Sequence, residues 1–286
     1  MTICIATISD KGKCYTAVSD RMITLEGGSG FVMSGDDMEF KSRSISRKWM
    51  AMYSGSSSLA DSILSEAKAT FTADDIPLDE MSENFNKIYQ RHLTKHVTDS
   101  VLSPFGWDRD EFYDLGLEKL GPTGFVQARA AFEEGMRGDP ELDFLVVGCG
   151  ADGEMHIFSL TNPGVVRHHK SFWAIGIGQE VALSSLMFHR HSIYFDVPRS
   201  IYHTLEAKFM AERVPAVGKS TVCMNVDFRR GERPFWGLFG EIGDIREIWE
   251  KKGKPTYPDE AHKKLSEMFS SGTVRNIPES KKAGVT

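Results

Sequence analysis

The sequence lacks the features that mark several large classes of protein. Its four cysteines are widely spaced and form no C-x-x-C pair, so the common zinc and dithiol redox motifs are excluded. No stretch reaches the roughly 18 consecutive apolar residues of a membrane-spanning helix. Basic residues are not in excess: 34 Lys and Arg stand against 40 Asp and Glu, for a net charge of −6. We therefore expect neither a nucleic-acid nor a membrane partner.

The chain also begins without a basic segment followed by a long apolar one, so the sequence predicts a cytoplasmic protein whose cysteines are buried free thiols. Its 286 residues, 41% hydrophobic and 26% charged, can bury a full core as one large domain or two modest ones. The acidic charge is concentrated in residues 107–143, which hold ten acids and four bases. That window alone carries the imbalance of the whole chain.

Hydrophobic periodicity predicts strands and helices in separate blocks. Two strands open the chain, two helices follow, a hairpin turned at Asp152-Gly153 comes next, and further helices precede the last strands. Residues 24–38 are interpreted as a loop, and 103–140 as an insertion with one helical piece near 126–136. This order predicts a layered α+β fold rather than an alternating βαβ fold. The predicted strands are 2–8, 14–18, 49–53, 142–149, 154–160, 221–228 and 234–239, and the predicted helices are 59–71, 78–101, 179–191 and 201–213.

Two patterns imitate ligand sites. Residues 216–221 read Ala-Val-Gly-Lys-Ser-Thr like the end of a phosphate-binding P-loop, but Arg213 occupies the position of its first glycine, so a plain turn is favoured. His92 and His96 share a helix face without the carboxylate of a zincin motif, which favours ordinary histidines over a metal site. We therefore predict no cofactor and no metal.

The N-terminus is the sharper feature, because Thr2 becomes the first residue once Met1 is removed. The α-amine of a terminal threonine has a pKa of about 7.7 to 8.0, so it can take the proton of its own hydroxyl near neutral pH. Such a site also needs a cation beside the amine and an N–H donor for the oxyanion, and Lys41 and Gly55 are of the required types. From the residue chemistry alone, the alternative of a common Met-Thr start and a surface Lys41 is favoured.

Several segments resemble the proteasome β-subunit family of N-terminal-nucleophile hydrolases, which includes the HslV-like peptidases. They are the opening 2–6, the segment 17–24, the hairpin 144–160 and the turn 174–178. Fourteen positions separate Lys41 from Gly55, as the family's lysine and oxyanion glycine are separated. The resemblance implies a four-layer αββα sandwich over residues 1–245 with an acidic insertion at about 103–140, and a helical extension with a flexible tail over 246–286.

The resemblance also implies roles. Thr2 is the nucleophile, Lys41 lowers the proton affinity around it, Asp20 orients Lys41, and the Gly55 N–H stabilises the oxyanion. Asp20 lies eighteen positions after Thr2, two more than in the family, which a longer hairpin turn can absorb; Ser19 is the alternative occupant. Family members cleave peptides and assemble into rings or filaments, so a peptide or protein substrate and self-association are expected, with an unfoldase partner left open.

Three positions depart from the family pattern. Ile177, Val214 and Val217 stand where active members carry a serine, an aspartate and a second serine that support the terminal amine. Two interpretations therefore stay open: a threonine-type hydrolase of amide bonds, of peptides or of other amides, and a non-catalytic assembly or interaction protein. The acidic insertion is interpreted either as shaping a subunit contact or the site entrance, or as a solvated loop.

Overall fold

In the computed structural model, the structure describes residues 2–26, 32–36, 39–138, 141–228, 235–238, 241–253 and 263. The chain divides into two compact units, Met1–Arg246 and Glu247–Thr286. Most of the predicted C-terminal extension and tail lies outside the described residues. In the second unit, the described part includes a π-helical turn at Trp249–Gly253.

Twelve strands are present in the described residues, and they pair antiparallel into two five-stranded sheets and one two-stranded sheet. The first sheet has the order β10-β1-β2-β11-β12, the second β5-β6-β7-β8-β9, and β3 pairs with β4. The strands are β1 Cys4–Ser9, β2 Cys14–Asp20, β3 Ile23–Glu26, β4 Val32–Gly35, β5 Ser42–Ser44, β6 Trp49–Gly55, β7 Leu142–Cys149, β8 Met155–Thr161, β9 Val165–His169, β10 Phe172–Ile175, β11 Thr221–Asp227 and β12 Phe235–Leu238.

Six α-helices accompany the strands in the described residues: α1 Ser57–Thr70, α2 Leu78–Val97, α3 Arg109–Gly138, α4 Gln179–Phe188, α5 Val197–Ala211 and α6 Glu241–Ile248. The amphipathic spacing of α2 places Met81, Phe85 and Tyr89 on one buried face. Gly121 interrupts α3 with a φ of 67°, and Pro122 follows it. The separate blocks of helices and antiparallel strands confirm the predicted α+β fold.

Alternation along the strands builds the core. In β7, Phe144 and Val146 belong to a cluster with α1 and α2, whereas Leu145 and Val147 belong to a cluster between the two large sheets. A third cluster joins Ile3 and Ile5 to α4 and α5. Because both faces of β1 and β7 are covered, their sequences are almost continuously apolar.

Two predictions of irregular structure are wrong. Residues 24–38 contain strands β3 and β4, although 27–31 and 37–38 of the predicted loop lie outside the described residues. In the segment 103–140, the helical piece predicted near 126–136 is present, but α3 is longer than predicted and spans Arg109–Gly138. Apolar residues are spaced along this acidic segment and are buried: Phe112 is 1% exposed and Phe132 is 5% exposed. The alternative of a wholly solvated loop is therefore wrong as well.

The prediction about the cysteines is confirmed: all four are buried, and none of them forms a disulfide in the described part of the chain. Within the described ranges, every helix is too short or too polar to cross a bilayer.

Candidate active site

Thr2 lies two residues before β1, the strand between β10 and β2 in the first sheet, and the side chain of Thr2 is fully buried. Gly176 follows β10 and passes directly over Thr2: an ideal Cβ on Gly176 would lie 2.2 Å from the Thr2 carbonyl oxygen and 3.0 Å from Ser54 Oγ. Gly176 also has a φ of +96°, a conformation that glycine adopts without strain. The end of β6, which carries Ser54 and Gly55, is thereby brought beside Thr2.

The hydroxyl of Thr2 donates a hydrogen bond to Oδ1 of Asp20. The same oxygen faces the Ile3 N–H at 3.4 Å, and the Gly218 N–H donates to the other oxygen at 3.0 Å. The hairpin between β1 and β2 pairs Ser9 with Cys14, so its turn comprises residues 10–13. This geometry places Asp20, and not its neighbour Ser19, against the hydroxyl of Thr2.

Lys41 is buried, with 4% of its surface exposed, so the alternative of a surface lysine is wrong. The backbone of this residue is tied to β6, because the Tyr53 N–H donates to the Lys41 carbonyl at 3.1 Å. Its ammonium group acts electrostatically on both Asp20 and Cys4. A threonine hydroxyl, a carboxylate and a buried cation thus occupy one region at the start of the first sheet.

The electrostatics of Asp20 are set by two opposing effects. Burial raises the pKa of the Asp20 carboxyl, while the hydrogen bond from Thr2, the charge of Lys41 and the N–H of Gly218 act to lower it. Burial prevails, and the pKa stays above its ordinary value. The thiol of Cys4 beside it also has a raised pKa, chiefly through burial and then through the Asp20 charge.

Gly55 ends β6 with a φ of +114°, and an ideal Cβ there would lie only 1.9 Å from the Glu141 carbonyl oxygen. The Ser56 N–H donates to that same oxygen at 3.2 Å. The approach of β6 to the start of β7 therefore requires glycine at position 55 for steric reasons alone. Whether the Gly55 N–H also stabilises an oxyanion is a separate question of function.

Residues 216–220, which we call the 216–220 turn, lead into β11, as the sequence predicted for a plain turn. The N–H groups of this turn nevertheless bind anions, and the anions are carboxylates of the same chain. Gly218 donates to Asp20, while Lys219 and Ser220 donate to Oδ2 of Asp36 at 2.7 and 2.9 Å. Sequence reasoning missed Asp36, for which the only signal was the Gly-Lys-Ser run itself.

Of the three positions that depart from the family pattern, two are packed in an apolar cluster and one is half exposed. Val214 and Val217 pack on the cluster that contains Ile3, and Val217 is 7% exposed. Ile177 is 50% exposed. None of these side chains has a donor or acceptor to offer a terminal amine.

The fold and this site define an α+β protein with two large antiparallel sheets, in which a buried threonine, carboxylate and lysine lie together at the first strand. The structure of this chain is similar to a solved structure, that of the Anbu (ancestral beta-subunit) from Yersinia bercovieri. The two chains are 11% identical with a TM-score of 0.59, and the match covers 94% of this chain and 97% of that one. No protein-family model and no curated protein matches this chain.

These findings correct the identification drawn from the motifs. Membership of the proteasome β-subunit or HslV-like family is not supported, because no family model detects it and an identity of 11% shows the fold alone. The short segments 2–6 and 17–24 resemble that family without a wider similarity in sequence. The fold is shared with an ancestral β-subunit, and the chemistry has to be argued from the site.

Proposed function

We propose that this chain is an amide-bond hydrolase that acts through Thr2 as an N-terminal nucleophile. The observation that carries the proposal is the hydrogen bond from the Thr2 hydroxyl to the buried Asp20, with the buried Lys41 acting on the same carboxylate. In this proposal residues 1–245 form a four-layer αββα sandwich of the N-terminal-nucleophile type. Residues 103–140 are an insertion in it, and 246–286 are an extension.

The reaction requires cleavage of the peptide bond between Met1 and Thr2, because an amide nitrogen has no basic lone pair. The freed amine then takes the proton of the Thr2 hydroxyl, and Oγ1 attacks the carbonyl carbon of the substrate. The C–N bond breaks, the amine product leaves with the proton, and water hydrolyses the acyl ester on Thr2. Lys41 favours the neutral amine by its charge, and the N–H of Gly55 is proposed to stabilise the oxyanion.

A second candidate is a non-catalytic assembly protein that has kept the fold. The apolar character of Val214 and Val217 favours it, since these side chains cannot orient a terminal amine. This candidate predicts self-association into a ring or filament without any activity that depends on Thr2. Peptides and proteins are the substrates proposed for the first candidate, and other copies of the chain are the partners proposed for both.

Intact mass spectrometry and covalent labelling separate the two candidates. For the hydrolase we expect loss of Met1, a single adduct with a β-lactone or epoxyketone, and loss of the adduct in Thr2→Ala and Lys41→Met. Thr7→Val is the matched control, because Thr7 is a buried threonine of β1 whose hydroxyl bonds Thr204 on α5 instead of Asp20. It should label like the wild type.

A retained Met1 together with an unlabelled Thr2 contradicts the hydrolase. In that case light scattering tests the second candidate, and a strict monomer at micromolar concentration contradicts it in turn.

A further inference from the structure

Lys208 on α5 is a cation with a fully buried side chain. Its Nζ donates to the carbonyl oxygens of Gly218 and Lys219 at 2.8 and 3.0 Å, and it forms an ion pair with Glu212. Burial lowers the pKa of the Lys208 ammonium, against the opposing charge of Glu212. A buried charge contributes little to the stability of the fold, so we looked for a functional reason for the contacts of Lys208.

Those contacts fix the 216–220 turn from one side. The carbonyl of Gly218 and the N–H of Lys219 belong to one planar peptide group. Lys208 binds its oxygen, and Asp36 accepts from its nitrogen at 2.7 Å. The next peptide group is held in the same way, through the Lys219 carbonyl and the Ser220 N–H.

The N–H that immediately precedes these two groups is that of Gly218, which donates to Asp20 at 3.0 Å. Lys208 on one side and Asp36 on the other thus hold the two peptide groups that follow this N–H. Lys208 is itself held, because Glu212 accepts two hydrogen bonds from Arg246 at 2.6 and 2.7 Å. The guanidinium of Arg246 lies 4.2 Å from the centre of the Phe209 ring.

We propose that Lys208 is a positioning residue for the hydrolytic site: it holds the 216–220 turn so that the Gly218 N–H fixes Asp20 against the hydroxyl of Thr2. The inference rests on the proposed function for its catalytic meaning, and its structural core can be measured without activity. Asp20 also lies in the fields of Lys41 and Lys208, and Cys4 lies beside it. Loss of Lys208 removes a positive charge and loosens an N–H donor, and both changes disfavour the ionised carboxylate.

The test is a carbon-detected NMR titration of the Asp20 carboxyl in the full chain. In Lys208→Met we expect the midpoint to rise by about one pH unit relative to the wild type. Thr204→Val is the matched control: Thr204 lies one turn earlier on α5 and is buried, but its hydroxyl bonds Thr7 and the Ser200 carbonyl. That variant should lower the melting temperature and leave the Asp20 midpoint unchanged.

An unchanged midpoint in Lys208→Met overturns the proposal. Should that variant not fold, the pair Lys208→Met and Glu212→Gln removes both members of the ion pair, and the same midpoint decides. When the wild type turns over an amide substrate, the acid limb of its pH profile should move with the midpoint. A wild type without Thr2-dependent turnover contradicts the proposed function, whereas the titration still decides whether Lys208 positions Asp20.

Discussion

Gly176 lies so close to Thr2 that an ideal Cβ at position 176 would approach the Thr2 carbonyl oxygen to 2.2 Å. Backbone atoms cannot yield as the end of a flexible side chain can, so this contact fixes β10 and the start of β1 in one arrangement. The same glycine is within reach of Ser54 Oγ. Three separate stretches of the chain thus meet at Gly176, beside the proposed nucleophile.

Gly176→Ala should therefore displace Thr2 as well as destabilise the fold. We expect a loss of about 2 to 4 kcal/mol in urea unfolding, since positive φ costs an alanine about 1 to 2 kcal/mol and the steric overlap adds to it. Covalent labelling of Thr2 should fall with it. Gly153→Ala is the control, because Gly153 has a φ of +76° with nothing within 4 Å of its ideal Cβ. Equal losses in the two variants would contradict the steric explanation.

Asp20→Asn should lower Thr2-dependent turnover by about 100-fold, a size typical of lost support for a catalytic group. The substitution keeps the shape of the side chain but removes its charge and presents an NH₂ where an N–H or O–H donor now points. Steady-state kinetics measure the effect. Asp196→Asn is a suitable control, because Asp196 accepts the Arg199 N–H at the exposed start of α5 and asparagine caps helices equally well.

The acid limb of that activity should lie above the ordinary range of a carboxyl. Asp20 accepts the hydrogen bond of the Thr2 hydroxyl as a carboxylate. Burial raises the pKa of this carboxyl, so protonation removes the ionised form at a higher pH than for an exposed aspartate. A pH profile of turnover, with circular dichroism to verify that the fold persists, measures it. An acid limb at or below about pH 3.9 would argue against a role for this carboxylate.

His203 should make the fold sensitive to acid. The His203 ring stacks on the His189 ring, with the ring centres 4.4 Å apart. Burial, and then the charges of His189, His191 and Arg199, lower the pKa of His203 from 6.5 to about 4. The unfolded chain therefore binds more protons between these two values, and the free energy of unfolding falls as the pH drops from 6.5 toward 4. The loss attributable to this residue is about 3 kcal/mol at most.

Urea unfolding at pH 7 and pH 4.5 tests this expectation. His203→Phe keeps an aromatic ring against Phe195 and cannot be protonated, so its stability should fall less between the two pH values. His96→Gln, on the exposed side of α2, is the control and should follow the wild type. A variant at position 203 with the same pH dependence as the wild type would assign the effect to other groups.

A cavity of about 320 Å³ between α3 and the segment that precedes it, residues 101–107, offers a test of packing. It is lined chiefly by apolar side chains, among them Leu102, Phe112 and Ala128. Ala128→Leu should fill part of it and raise the free energy of unfolding by about 1 kcal/mol. Ala130→Leu on the exposed face of the same helix leaves the cavity unfilled and should change stability little. A destabilised Ala128→Leu would show that the cavity cannot accept the side chain.

The long, strongly patterned elements were predictable from sequence because their signals are local. β7 and β8 are apolar runs joined by an Asp-Gly turn, and α1 and α2 show helical spacing. The strands that escaped prediction are short or polar: β5 is Ser-Arg-Ser, and β9 contains Arg167 and two histidines. Partners in the sheet stabilise these strands, which their own composition does not favour.

The candidate site divides in the same way. Thr2, Asp20 and Lys41 were predicted because nucleophile, acid and cation are residue types with recognisable chemistry. Asp36 and Lys208 were not, since they act on backbone groups of the 216–220 turn, and Asp36 lies 183 positions from its partner Lys219. A backbone N–H or carbonyl is present at almost every residue and so leaves no mark in the sequence.

The hydrogen bonds from the 216–220 turn to Asp20 and Asp36 determine how much of the chain must be synthesised before the site can form. During translation Thr2, Asp20 and Asp36 emerge from the ribosome early. The N–H groups that bind both carboxylates belong to residues 218–220 and emerge much later. β1 likewise finds its outer neighbour only in 172–175. A nascent or truncated chain that ends before these segments cannot assemble the cluster around Thr2, so any reactivity at its beginning is withheld until the chain is nearly complete.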